Sequence, residues 1–149
     1  VQPLRIEDDI DFADFNVFIN NAHVDFGQVD LLHRLYQAWQ HDNSKYIINI
    51  SSRAHQPNIS KGYLYSAQKA ALNHLAHNLT YNSTKKCKIT TVNLGLMNDP
   101  LPSLSHDEVA QQIEYLLSLP FHIEINDISL QHNENYTLVQ KLKDERRSH

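Results

Sequence analysis

The chain has 149 residues, 41% hydrophobic and 20% charged, and only three are glycine: Gly27, Gly62 and Gly95. Average usage is about 7% glycine, and no two of these lie within thirty residues of each other, which excludes a G-x-G-x-x-G dinucleotide turn and a Walker A loop. A net charge of −4 gives no electrostatic footprint for nucleic acid, and the lone cysteine, Cys87, excludes an internal disulfide or a thiolate-cluster metal site.

No apolar run approaches the ~18 residues that a membrane span needs. The stretch from Val1 to Asp11 is polar and acidic, unlike a signal peptide. A cytoplasmic protein with neither a nucleic-acid nor a membrane partner is expected. Asn-x-Ser/Thr matches at Asn49, Asn58, Asn78, Asn82 and Asn135 carry little weight, because asparagine is abundant here.

Short apolar runs alternate with longer helical stretches. Val17-Phe18-Ile19 is a strand that ends in the pair Asn20-Asn21. Gln28 to His41 is a helix, with Val29, Leu32, Tyr36 and Trp39 on one face and Leu31, Leu35 and Ala38 widening it. Lys45 to Ser51 is a second strand, and its unbroken Tyr46-Ile47-Ile48 points to burial on both faces, as in a parallel sheet. Gln56 to Gly62 is a loop by composition.

Tyr63 to Asn82 is the longest helix, with a core-facing stripe of Leu72, Leu75, Ala76 and Leu79. Lys88 to Leu94 is a third strand, rich in β-branched residues. Asn98-Asp99-Pro100 is a break. Ser105 opens another helix through a capping box with Glu108, and Val109, Ile113, Leu116 and Leu117 form its inner face. Pro120 ends it, and a fourth strand spans His122 to Leu130. Lys141 to His149 reads as a charged, fraying tail.

This order predicts an α/β fold: a three-layer, Rossmann-like parallel sheet with crossover helices, in one domain over residues 1–149. Function is expected at the loops after the strands' carboxyl ends.

Three residues carry chemistry. Tyr65 and Lys69 are four apart at the start of a helix, so they share a face. An ammonium beside a phenol favours the phenolate and tunes it for proton exchange near neutral pH. Ser52, at the end of the second strand, can hydrogen-bond the same substrate oxygen. Spacing alone is weak, since Tyr81 and Lys85 repeat it. Context separates the two: thirteen residues before Tyr65 is Ser52 at a strand end, and thirteen before Tyr81 is Gln68 in mid-helix.

With these residues the sequence resembles the short-chain dehydrogenases/reductases, Rossmann-fold enzymes that pass hydride between NAD(P) and a carbonyl or alcohol. The matching stretches are Phe18-Ile19-Asn20-Asn21-Ala22, Ile48-Asn49-Ile50-Ser51-Ser52 and Tyr65-Ser66-Ala67-Gln68-Lys69-Ala70-Ala71-Leu72, with a looser Val92-Asn93-Leu94-Gly95. The resemblance covers about Asp14 to Ser118.

It implies Tyr65 as acid/base and Lys69 as the residue that tunes it and binds the nicotinamide ribose. Ser52 would polarise the substrate carbonyl. Asn20, Ala22 and Gly95 would lie beside the cofactor, NAD or NADP. The implied partner is a small carbonyl or alcohol, the assembly a homodimer or homotetramer, and no metal is involved.

The chain departs from the family pattern in four places. His23 stands where the asparagine turn usually ends in glycine. Leu94 replaces the usual proline before Gly95. The segment from Asn20 to Ser52 is shortened, and the family's asparagine on the intervening helix falls near Gln28. The first βαβ units, which hold the glycine-rich turn, are also expected to be missing, leaving a C-terminal catalytic portion. A second class of function follows from these departures: a truncated or degenerate homologue that binds or assembles without turnover. Three further features have bland readings: His74 and His77 as incidental surface rather than a metal pair, Asp8, Asp9 and Asp11 as a solvated acidic turn, and Cys87 as an idle thiol rather than one activated by Lys85, Lys86 and Lys88.

Overall fold

A computed structural model of the protein describes residues 10–21, 24–55, 62–134 and 144–147. Four strands, β1 (Val17–Asn20), β2 (Tyr46–Ser52), β3 (Lys88–Leu94) and β4 (Asp127–Leu130), pair side by side in chain order, all parallel. Parallel neighbours need crossovers, and helices α1 (Gly27–Trp39), α2 (Tyr63–Tyr81) and α3 (His106–Ser118) supply them in turn. The expected α/β, Rossmann-like arrangement is the one observed.

Side chains alternate across the sheet, so each strand feeds two layers. Phe18 of β1, Ile47 of β2 and Ile89 of β3 pack with Leu31, Leu32, Leu35 and Trp39 of α1 and Leu72 and Ala76 of α2. Ile48, Ile50 and Val92 turn the other way, toward Leu116 of α3. The inner strands β2 and β3 are buried along nearly their whole length, as the continuous apolar run required. Val17 and Ile19 of β1 point to the α3 side and are each 39% exposed. Among the described residues, β1 pairs only with β2.

The capping box on α3 is present: Glu108 N donates to Ser105 Oγ at 3.2 Å, and Ser105 N donates to Glu108 Oε1 at 2.9 Å. Four sequence expectations need correction. The fourth strand begins at Asp127, not His122. Before it, the Glu124 carboxylate accepts from Ile89 N and Lys85 Nζ, so a side chain fills the place on the β3 edge that a strand would take. Ala38 is exposed, and so is Leu117, because the inner stripes of α1 and α3 are narrower than their apolar spacing allowed. Residues 144–147 of the expected fraying tail are helical, and Arg146 donates from its two terminal guanidinium nitrogens to the Asp99 carboxylate at 3.3 and 3.4 Å. Burial pushes the Cys87 thiol up, outweighing the neighbouring Lys85.

Candidate active site

The carboxyl ends of β1, β2 and β3 bring most of the predicted residues to one edge of the sheet. Ser52 is the last residue of β2, and its Oγ accepts from Ala54 N at 3.0 Å. An oxygen that accepts keeps its own O–H to donate. The next turn, Arg53–His55, is tied to the start of α2, where Ser66 Oγ donates to Ala54 O. That link ties the first turn of α2, which carries Tyr65, to the turn that follows Ser52. Tyr65 is 41% exposed, and the Lys69 ammonium lies 5.7 Å from its ring centre.

Lys69 is only 4% exposed, and burial lowers its ammonium to about 8. Its Nζ donates to Gln28 Oε1 at 2.8 Å and to Ile50 O at 3.3 Å. Two of its three protons are thus engaged, leaving one donor for a further acceptor. Gln28 comes from the first turn of α1, and its Nε2 donates to Asn20 O and Ile50 O, each at 2.7 Å. A glutamine reaches here because it spans both strand ends while its carbonyl holds the lysine. Sequence spacing located Gln28 but not this bridge.

Asn20, fully buried at the end of β1, donates to Gln28 O at 3.0 Å and Asn49 Oδ1 at 3.1 Å, while its own Oδ1 has no partner. Gly95 follows β3. A Cβ there would meet Gln131 Cβ at 2.9 Å and Gln131 Cα at 3.3 Å, so packing against the chain after β4 already requires glycine. Ala22 and His23 lie outside the described residues, as do Asp8 and Asp9.

The sequence reading missed a second group of polar residues just below this edge. Ser51 Oγ donates to Asn73 Oδ1 at 2.5 Å, Asn73 Nδ2 to Asn93 Oδ1 at 2.7 Å, and Asn93 Nδ2 to Asp127 Oδ1 at 2.7 Å. His77 Nε2 meets the other Asp127 oxygen at 2.9 Å, so it faces the sheet rather than His74. The signal was available: Tyr65, Lys69, Asn73 and His77 stand at successive four-residue steps.

No protein-family model matches the chain. An uncharacterized oxidoreductase from Staphylococcus saprophyticus is 28% identical over 98 residues, which are 59% of this chain and 42% of that protein. Among solved structures, serine dehydrogenase from Escherichia coli superposes with a TM-score of 0.69 at 21% identity, covering 79% of this chain and 64% of its own. A short-chain dehydrogenase/reductase from Vibrio parahaemolyticus gives 0.60 at 20% identity, covering 73% and 54%. The chain has the short-chain dehydrogenase/reductase fold. An alcohol dehydrogenase of this fold from Thermococcus sibiricus, complexed with 5-hydroxy-NADP, gives 0.66 at 18% identity, covering 80% and 64%. The chain therefore spans about two-fifths to two-thirds of the length of these relatives. Among the described residues, no helix is long and apolar enough to cross a membrane.

Proposed function

We propose that this chain carries the catalytic half of an NAD(P)-dependent oxidoreductase acting on a small carbonyl or alcohol. The observation that carries the reading is the buried Lys69, gripped by Gln28 and the Ile50 carbonyl near the carboxyl end of β2, with its ammonium 5.7 Å from the Tyr65 ring centre. The polar groups suit the nicotinamide-ribose end of such a cofactor: one remaining Lys69 N–H and the Tyr65 phenol to donate, and the unpartnered Asn20 oxygen to accept. The phosphate end has no counterpart among the three scattered glycines.

A bound nicotinamide would supply or accept the hydride. In the reducing direction the Ser52 hydroxyl hydrogen-bonds the substrate oxygen and holds it. Tyr65 then delivers a proton to that oxygen, and the Lys69 ammonium stabilises the charge left on the phenol oxygen. Oxidation runs the same proton backward. The half-exposed Tyr65 can meet a substrate from solvent. Under this reading the protein works in the cytoplasm as a homodimer or homotetramer.

Fluorescence or calorimetric titration with NADH and NADPH tests the reading first. Micromolar affinity for this chain supports it. In a carbonyl-reduction assay, Tyr65→Phe should then lower kcat about 10³-fold, with the melting temperature unchanged.

A second reading, a binding or assembly module without turnover, is favoured by one observation. The outer edge of β1 pairs with no strand among the described residues, and Val17 and Ile19 are uncovered beside it. Absence of nucleotide binding, with self-association seen by light scattering, would decide for this alternative.

A further inference from the structure

Tyr65, Lys69, Asn73 and His77 form one row along α2. Each four-residue step turns about 40° around the helix, so the row sweeps about 120° from first to last. It therefore crosses the sheet obliquely. Lys69 reaches Gln28 of α1 and Ile50 of β2, Asn73 lies between Ser51 of β2 and Asn93 of β3, and His77 meets Asp127 of β4.

The lower part of the row belongs to a single chain of hydrogen bonds. From Ser51 through Asn73 and Asn93, every donor points toward Asp127. A carboxylate only accepts, so it fixes the orientation of each amide behind it. Amides do not pass protons readily, so the chain is a strap rather than a proton wire. Asn73 is 3% exposed and satisfies both neighbours. The apolar contacts of Leu72 and Ala76 lose energy gradually if α2 turns or slides. Hydrogen bonds of 2.5–2.7 Å are lost steeply.

We propose that Asn73 is a positioning residue: through the Ser51–Asn73–Asn93–Asp127–His77 strap it sets the rotation of α2, and with it the seats of Lys69 and Tyr65. The consequence for catalysis rests on the oxidoreductase reading; the positioning itself does not. The groups facing the Lys69 ammonium are the Tyr65 ring on α2, the Gln28 amide on α1 and the Ile50 carbonyl on β2, and no carboxylate pairs with it among the described residues. Its titration therefore reports how deeply it is seated.

The test follows Lys69 by NMR in the full chain labelled at lysine, with no cofactor or substrate, the signal assigned through Lys69→Arg. Wild type should titrate near 8. In Asn73→Ala the midpoint should rise by about one unit or more toward the ordinary lysine value, as the loosened helix lets water reach the ammonium. Leu72→Ala, at a fully buried neighbouring position, should lower the melting temperature and leave the Lys69 midpoint in place. An unchanged midpoint in Asn73→Ala, or an equal rise in Leu72→Ala, overturns the proposal. If Asn73→Ala does not fold, His77→Ala at the exposed end of the strap takes its place: a smaller rise supports the strap and none overturns it. Hydride transfer is assayed separately. A shifted Lys69 titration in a protein without activity sinks the oxidoreductase reading alone, and an active protein with an unmoved titration sinks the strap alone.

Discussion

The face of the sheet that meets α1 and α2 is built in two halves. Toward the amino ends of the strands it presents Phe18, Ile47 and Ile89. Toward the carboxyl ends it presents Asn20, Asn49, Ser51, Thr91 and Asn93. Both halves are buried, and the same helices cover both. The apolar half stabilises by area removed from water and tolerates small shifts. The polar half gives little net stability, because each of its bonds replaces one to water. What it supplies is geometry, since Ser51, Asn73, Asn93 and Asp127 keep their hydrogen bonds in one arrangement only. Gln28 and Lys69 of the candidate site reach into the half that holds its shape most strictly.

Substitutions should separate the halves. Leu32→Ala, at the centre of the apolar half, should cost about 3 kcal/mol in urea denaturation, as lost transfer energy plus a cavity. It should leave the Lys69 titration alone. A shift there would erase the distinction between the two halves.

Next in size is a pH effect. Lys69 titrates near 8 in the folded chain and near 10.5 when unfolded. Between those values the unfolded chain holds a proton that the folded one lacks, so stability should rise with pH across this window. Below pH 8 both forms are protonated, and the penalty of burying the charge is constant. The rise should reach about 3 kcal/mol, and Lys69→Met should flatten it. A curve with the same slope in both proteins would show that Lys69 is not the source.

Asn93→Ala should cost about 2 kcal/mol, because it strands the Asn73 amide and removes a donor from Asp127. Unlike Leu32→Ala, it should also raise the Lys69 midpoint. Ser105→Ala, on α3 and outside both halves, should cost about 1 kcal/mol through the lost cap and change nothing at Lys69.

Much of this was legible beforehand because its causes are local. The capping box of α3 needs only Ser105 and Glu108 three residues on. The limits of β3 follow from a run of β-branched residues, and Tyr65 and Lys69 share a face by helical spacing alone. Where the reading erred, the cause was not local. The segment from His122 to Asn126 has a strand's apolar alternation, yet the Glu124 carboxylate holds Ile89 N before any ladder can form. Leu117 has a core residue's chemistry but lies beyond the reach of the sheet.

The sequence by itself determined the alternation of strands and helices, and so a parallel sheet, with Ser52 at the end of β2 and Tyr65 and Lys69 four apart at the start of α2. Only the tertiary structure decided that Gln28 grips Lys69, and that Asn73, Asn93 and Asp127 join into one strap. The reason is physical. Periodicity records which face of an element is apolar, whereas a buried amide finds its partner only when separate strands and helices are brought within 3 Å, and those contacts join residues 20 to 41 positions apart.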